Sequence, residues 1–273
     1  MPKLICGRFD LELSEPRIMA IVNLTADSFS GDGLRNDIAA AVRRAESALR
    51  DGADILDIGA ESTRPGAEPV SEQQELDLLI PVVEALVGLG VPISVDTLKP
   101  AVMRAVLLAG ADMINDVNAF RAPGAVEAVA GGRAGLCVMH MQGEPRTMQT
   151  HPAYEDVVGE VAAFLDERVG ALTTAGVARE RIVLDPGFGF GKTVAHNCAL
   201  LRALAGFGAT GLPVLAGLSR KSMLGALTGR PVDQRVSASV AAALVAVQRG
   251  AAIVRVHDVA PTRDALTVWQ AVS

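Results

Sequence analysis

The sequence predicts an α/β protein folded as a single (β/α)8 TIM barrel with a short N-terminal β-hairpin. Three observations support this. Eight short, β-branched apolar runs alternate with longer segments of helical period. The junctions between them repeat a phrase, Asp51-Gly-Ala-Asp54, Ala109-Gly-Ala-Asp112 and Arg249-Gly-Ala-Ala252, each closing a helix and feeding the next strand. Each apolar run also ends on a polar side chain. Eight such units in roughly 250 residues match a closed barrel better than an open doubly wound sheet, which suits five or six strands.

In chain order, Leu4–Cys6 and Phe9–Leu13 read as two short strands turning at Gly7-Arg8, a hairpin capping the barrel bottom. One domain is expected over 1–273, with the hairpin in 1–16 and the barrel in 17–273. The barrel strands are expected at Ile18–Val22, Ile55–Ile58, Pro92–Val95, Met113–Asn115, Gly135–His140, Ile182–Leu184, Val214–Ala216 and Ile253–Val256. Helices are expected at Ile38–Arg50, Glu72–Leu89, Pro100–Ala109, Ala125–Ala130, Tyr154–Ala175, Asn197–Ala205, Val236–Arg249 and Pro261–Val272. Asp37 and Ser71 suit N-caps, and Gly52, Gly110, Gly176 and Gly250 suit C-terminal caps.

Composition agrees. Half of the residues are apolar but only 3% are aromatic, the mixture of strands buried on both faces and helices packed through small side chains. A formal charge of −6 argues against a nucleic-acid partner, so an anionic ligand needs locally gathered Arg and Lys. Cys6, Cys137 and Cys198 lie far apart without a Cys-x-x-Cys pair, as expected for reduced, buried thiols. No basic-then-apolar leader and no run approaching about 18 apolar residues is visible, so a cytoplasmic location is expected.

A barrel carries its chemistry at the C-terminal ends of its strands. Those ends supply Asn23, Asp57 with Glu61-Ser-Thr-Arg64, Asp96, Asn115-Asp116, His140, Asp185, Ser219-Arg-Lys-Ser222, and Arg255 with His257. Asp96, Asn115 and Asp185 offer acceptors to a flat heterocycle rich in N–H groups, and a carboxylate can accept two parallel bonds from an amino-pyrimidinone edge. Arg64, Lys221, Arg255 and His257 are donors suited to phosphate. His151 and His196 are expected at the surface or in caps, and no histidine pair has metal-ligand spacing. Asp185-Pro-Gly-Phe-Gly-Phe-Gly-Lys-Thr193 imitates two nucleotide motifs but fails both. Pro186 stands where a phosphate-cradling loop needs its first glycine, and Lys192 where a dinucleotide fingerprint needs its third. The glycines read instead as backbone passing close to a ligand, with Phe188 or Phe190 presenting a ring.

Taken in order, Asn23-Leu-Thr-Ala-Asp-Ser-Phe-Ser30, Asp57-Ile-Gly-Ala-Glu-Ser-Thr-Arg-Pro-Gly66, Val95-Asp-Thr97, Ile114-Asn-Asp116, Met139-His-Met-Gln-Gly143, Asp185–Thr193, Gly217-Leu-Ser-Arg-Lys-Ser222 and Val254-Arg-Val-His-Asp-Val259 resemble the dihydropteroate synthases. The likeness runs from about Arg17 to Ala271. It implies a transferase joining 6-hydroxymethyl-7,8-dihydropterin diphosphate to 4-aminobenzoate, giving dihydropteroate and pyrophosphate in folate biosynthesis. Carried onto this chain, it implies pterin contacts from Asp96, Asn115, Asp185 and Lys221, with Thr63, Arg255 and His257 at the diphosphate end. Asn23 would ligate Mg2+, and Thr63, Arg64, Pro65, Phe190, Ser219, Lys221 and Ser222 would form the aminobenzoate site. Asp96, Lys221, Arg255 and His257 are the expected catalytic residues. Loops 25–35 and 62–70 would close over the substrates. The first loop departs from the family pattern, with Ala26 in place of a proline and Gly31-Asp-Gly33 in place of Asp-Gly-Gly, so Asp32 would have to serve from one position along. A homodimer and sulfonamide susceptibility are further expectations. The alternatives are a methyltetrahydrofolate-type methyltransferase, which does not need the Ser-Arg-Lys and Arg-x-His donors, and a non-catalytic pterin-binding paralogue.

Overall fold

The computed structural model describes residues 3–24, 38–61, 70–144 and 147–272. Strands β1 (Lys3–Cys6) and β2 (Phe9–Glu12) form the expected antiparallel hairpin. Then come β3 (Arg17–Asn23), β4 (Ile55–Gly59), β5 (Ile93–Asp96), β6 (Met113–Asp116), β7 (Gly135–Met139), β8 (Ile182–Asp185), β9 (Val214–Ala216) and β10 (Ala251–Val256). They pair in parallel in chain order, and β10 closes on β3 to complete the barrel.

The helices are α1 (Ile38–Arg50), α2 (Glu72–Leu86), α3 (Pro100–Ala109), α4 (Ala125–Ala130), α5 (Val157–Thr174), α6 (Val194–Arg202), α7 (Leu204–Phe207), α8 (Ser222–Thr228), α9 (Val236–Gln248) and α10 (Val259–Val272). Ser71 caps α2 in a full capping box, and Gly52, Gly110, Gly176 and Gly250 all have positive φ. Asp37 lies outside the described residues. Several helix boundaries differ from expectation, α10 among them, which begins at Val259 and not at Pro261, and three of the differences have clear local reasons. The Asp156 side chain accepts from Val158 N, so α5 begins after Tyr154 rather than at it. Thr193 and His196 form a reciprocal cap that starts α6 at Val194, ahead of Asn197. The last turn of α2 tightens into a 3-10 turn at Val87–Leu89. None of the described helices is long and apolar enough to cross a membrane.

The barrel interior has two storeys. Because side chains alternate along a strand, Met19, Ile55, Met113, Cys137, Val183, Leu215 and Ile253 all point inward near the strand starts. They form one apolar cluster with Leu4 and Cys6 of the hairpin and with Leu13. The hairpin therefore plugs the bottom, as expected, and Cys6 and Cys137 are buried thiols there. Burial pushes both thiols well above their ordinary pKa. Two residues further along, four of these strands turn the interior polar with Asp57, Asn115, Asp185 and Arg255, and the site is built there.

The repeated Gly-Ala-Asp phrase has a physical purpose. Asp54 N donates to Ile18 O at 2.8 Å while Ile18 N donates to Asp54 Oδ2 at 2.8 Å. Asp112 N and Ile93 O repeat the pattern at 2.8 Å, with Ile93 N donating to Asp112 Oδ2 at 3.1 Å. Each aspartate, just ahead of its own strand, thus ties that strand to the start of its neighbour, and each recruits arginine. Asp54 pairs with Arg17 and Arg263, and Asp112 takes Arg8 Nε at 2.9 Å and Nη2 at 2.7 Å, locking the hairpin to the barrel. The Asp112 carboxylate is almost fully buried. Asp112→Ala is expected to lower the unfolding free energy by about 3 kcal/mol, since it strands the Ile93 and Arg8 donors. Urea unfolding measures this, and Asp10→Ala, at the exposed pairs with Lys3 and Arg133, should leave the transition in place.

Candidate active site

The strand register places the polar upper storey in one ring. Asn23 pairs in register with Gly59, Gly59 with Asp96, and Asp96 with Asn115. Gly59 leaves the space between its neighbours open: a Cβ there would lie 3.5 Å from Asp96 Cβ and 3.6 Å from Asn23 Oδ1. Across the mouth, a Cβ on Gly217 would lie 3.8 Å from Lys221 Nζ and 3.9 Å from Arg255 Cβ. Asp185, at the end of β8, is buried and interacts electrostatically with both Lys221 and Arg255.

Arg255 is the hub. Its Nε donates to Asp57 Oδ2 at 2.6 Å and its Nη2 to Asp96 Oδ2 at 3.0 Å. Asn115 Nδ2 donates to the same Asp57 oxygen at 3.2 Å. Asp57 is fully buried, and its Oδ1 accepts no hydrogen bond among the described residues. Burial opposes the charge on Arg255, but Asp57 and Asp96 outweigh it and hold its pKa above the ordinary value. Burial pushes Asp96 up to about 7; Arg255 resists the shift, while Asp57, Asp116 and Glu75 add to it. Burial also raises Asp185, against the pull of Lys221, and lowers Lys221 to about 8, against the pull of Asp185.

The loop after β8 is a backbone platform. Gly187, Gly189 and Gly191 have φ of 70°, 81° and 64°, and a Cβ on Gly187 would lie 1.8 Å from His140 O. Lys221 Nζ donates to Phe188 O and sits 4.7 Å from the centre of the Phe190 ring. Ser219 is buried, and its Oγ lies 3.0 Å from His257 Nδ1 and accepts from His257 N at 3.1 Å. Arg220, between Ser219 and Lys221, adopts φ 57° and is held by a two-point pair with Asp258 at 2.9 and 2.5 Å. Ser222, exposed, opens α8.

Residues 19–257 match the model of the pterin binding enzyme family. The chain is 52% identical to dihydropteroate synthase of Haemophilus influenzae over 98% of both chains. The Xanthomonas albilineans dihydropteroate synthase structure with 4-aminobenzoic acid superimposes with a TM-score of 0.93, at 54% identity, over 99% of this chain and 98% of that one. The Burkholderia cenocepacia enzyme complexed with 7,8-dihydropteroate gives a TM-score of 0.91 at 57% identity, over 99% and 96%. The chain belongs to the dihydropteroate synthase family.

As a dihydropteroate synthase relative, the chain gathers Asn23, Asp96, Asn115, Asp185, Lys221 and Arg255 at one barrel mouth, with Phe190, Ser219 and His257 on its rim. Thr63, Arg64 and Pro65 lie outside the described residues, as do loop 25–35, including Asp32, and nearly all of loop 62–70. Glu61, just before the second loop, pairs with Lys99, which also bonds buried Glu75 at 2.5 Å. Asp116 and His140, read as strand-tip residues, serve the frame. Asp116 accepts from Asn118 N at 2.7 Å and Phe120 N at 2.6 Å, supporting a turn with positive φ at Ala119 and Phe120. His140 packs under the glycine platform against Lys192. His196 caps α6 and His151 is exposed, as expected.

Two participants escaped assignment from sequence, Asp57 and Lys192. Asp57 was visible as a strand-tip acid, and its inward direction follows from alternation with Ile55, but its partner Arg255 is 198 residues away. Among the described residues no group of three His, Cys, Asp or Glu could cage a metal. Asn23, at the end of β3 next to Gly59, offers a single amide oxygen of the kind Mg2+ takes, an ion that keeps waters and takes phosphate oxygens as its other ligands.

Proposed function

We propose that this chain condenses 6-hydroxymethyl-7,8-dihydropterin diphosphate with 4-aminobenzoate, releasing pyrophosphate and 7,8-dihydropteroate. The observation that carries the reading is the single ring of Asp96, Asn115, Asp185, Lys221 and Arg255, in a chain that aligns end to end with enzymes of this activity. Acceptors on Asp96, Asn115 and Asp185 suit the N–H edge of the pterin, and Lys221 suits a ring carbonyl or nitrogen. Arg255 and His257 face the diphosphate, while Phe190, Ser219, Lys221 and Ser222, with Thr63, Arg64 and Pro65, receive 4-aminobenzoate.

In this reading the methylene C–O bond breaks first and its electron pair leaves with the diphosphate. The aniline nitrogen then attacks the methylene carbon, and its surplus proton passes to solvent, since an anilinium is acidic. Arg255, His257 and Lys221 stabilise the charge that grows on the leaving group. Ionised Asp96 stabilises the cation shared between methylene and pterin ring. Mg2+ held by Asn23, substrate oxygens and water would neutralise the diphosphate when bound. Excluding water protects the cation from hydrolysis. A homodimer, a cytoplasmic location and competition by sulfonamides for the aminobenzoate site complete the proposal.

Pyrophosphate release with both substrates present, and none with either alone, tests the function. Methyl transfer from methyltetrahydrofolate, or pterin binding without turnover, would replace it with one of the alternatives. Because Asp96 must be ionised, kcat/KM for the pterin substrate is expected to fall about tenfold per unit below pH 7. The slope should vanish in Asp96→Asn, and a pH-independent rate between 5 and 8 in the parent enzyme removes Asp96 from its role.

A further inference from the structure

Lys192 has no part in the reaction described above, yet it is among the most buried charged side chains, at 3% exposure. It stands next to last in the run that imitates a phosphate-binding loop, but its ammonium turns inward. Nζ donates to Gly187 O at 3.0 Å and to Phe190 O at 3.0 Å, lies 2.9 Å from His140 Nδ1, and is a longer 3.4 Å from His140 O. Burial lowers the Lys192 pKa to about 7, against the pull of Asp185; in its ammonium form the side chain has three donors and no acceptor, so three close partners satisfy it and His140 Nδ1 offers its lone pair. The His140 proton then sits on Nε2. Burial and then Lys192 lower the His140 pKa to about 3, which agrees with a neutral ring.

These bonds belong to a wider pattern. All five carbonyls from Gly187 to Gly191 are held by side chains. Lys192 takes those of Gly187 and Phe190, Lys221 that of Phe188, Gln149 that of Gly189, and Tyr154 that of Gly191 at 2.9 Å. Asp185 Oδ1 accepts from Gly187 N and Asn197 Oδ1 from Gly189 N, both at 2.7 Å. Glycine backbone with positive φ has no side chains of its own to hold it, so its shape must be imposed from outside. Lys192 imposes most, fixing both sides of the turn that precedes and presents Phe190 and tying it to the end of β7 through His140. Its partners among the platform residues all lie in loops that form the mouth.

We propose that Lys192 is a positioning residue for the aminobenzoate half-site, setting the attitude of Phe190 and the neighbouring backbone toward the second substrate. The proposal rests on the functional reading above. A wall displaced by about 1 Å can cost on the order of 100-fold in rate, so the effect is measurable.

The test uses the full-length enzyme with Lys192→Met, which keeps length and removes the donors, and Lys192→Arg, which keeps charge and donors. Lys192→Met is expected to raise KM for 4-aminobenzoate at least tenfold while KM for the pterin diphosphate moves less than threefold. Lys192→Arg should recover part of the loss. Equal rises in both constants, or no change in either, overturns the proposal. Should the methionine variant fail to fold, Lys192→Arg carries the test: its bulkier fork cannot reproduce all three contacts of the ammonium, and it is expected to raise the aminobenzoate KM about threefold with the pterin KM unchanged; an unchanged or parallel response overturns the proposal. A readout independent of turnover is the 15N shift of His140, one of four histidines. The parent should show an unprotonated Nδ1, and a protonated Nδ1 there removes the clamp. Absence of pyrophosphate release by the parent enzyme, with the His140 signal as expected, strikes the functional reading and leaves the clamp standing.

Discussion

Arg255→Met is expected to abolish turnover, with kcat/KM down at least about 1000-fold, and to destabilise the fold by about 3–5 kcal/mol. The two losses have different causes. Activity goes because the leaving group loses its planar cationic donor. Stability goes because Asp57, fully buried, and Asp96, mostly buried, lose the cation that neutralises them both. A second substitution separates the effects. Asp57→Asn added to Arg255→Met removes the stranded charge and should restore more than half of the lost stability in urea unfolding, while activity stays absent. If the double variant is no more stable than the single one, the Asp57–Arg255 pair is not the source of the cost.

Asp96→Asn is expected to lower kcat by about 100- to 1000-fold while KM for the pterin diphosphate changes less than tenfold. The amide keeps one acceptor oxygen in place for the ring edge but carries no charge for the cation formed in the transition state. Its stability cost should be small, because Arg255 keeps its shorter bond to Asp57 at 2.6 Å. Steady-state kinetics with both substrates varied decides the matter. A rise in KM with kcat preserved would place the carboxylate in ground-state binding alone.

Much of this was legible in the chain because a barrel strand announces itself twice, by its apolar run and by the polar residue that ends it. Asn23, Asp96 and Asp185 are both the last residues of β3, β5 and β8 and members of one ring, so finding the strand found the site residue. Where the signal is short it fails. The seven residues of α8 are too few to show a period, and they contain Gly225, a residue that weakens a helical reading. Asp57 was legible as a tip but not as a hub, because pairing across the barrel leaves no mark in local sequence. Lys192, Gln149 and Tyr154 were harder still. They bind backbone carbonyls, which every residue possesses, so nothing in the identity of their partners points back to them.

The glycine platform has a consequence for inhibitor design. A wall made of main-chain atoms cannot be repainted by exchanging side chains, and at Gly187 even a methyl group would collide with His140 O. A competitive inhibitor that packs against the main chain at Gly187 and Gly191 leans on positions where any side chain would meet the backbone of His140 or Gln142. One that depends on the exposed Ser222 hydroxyl leans instead on a side chain, which a single substitution removes.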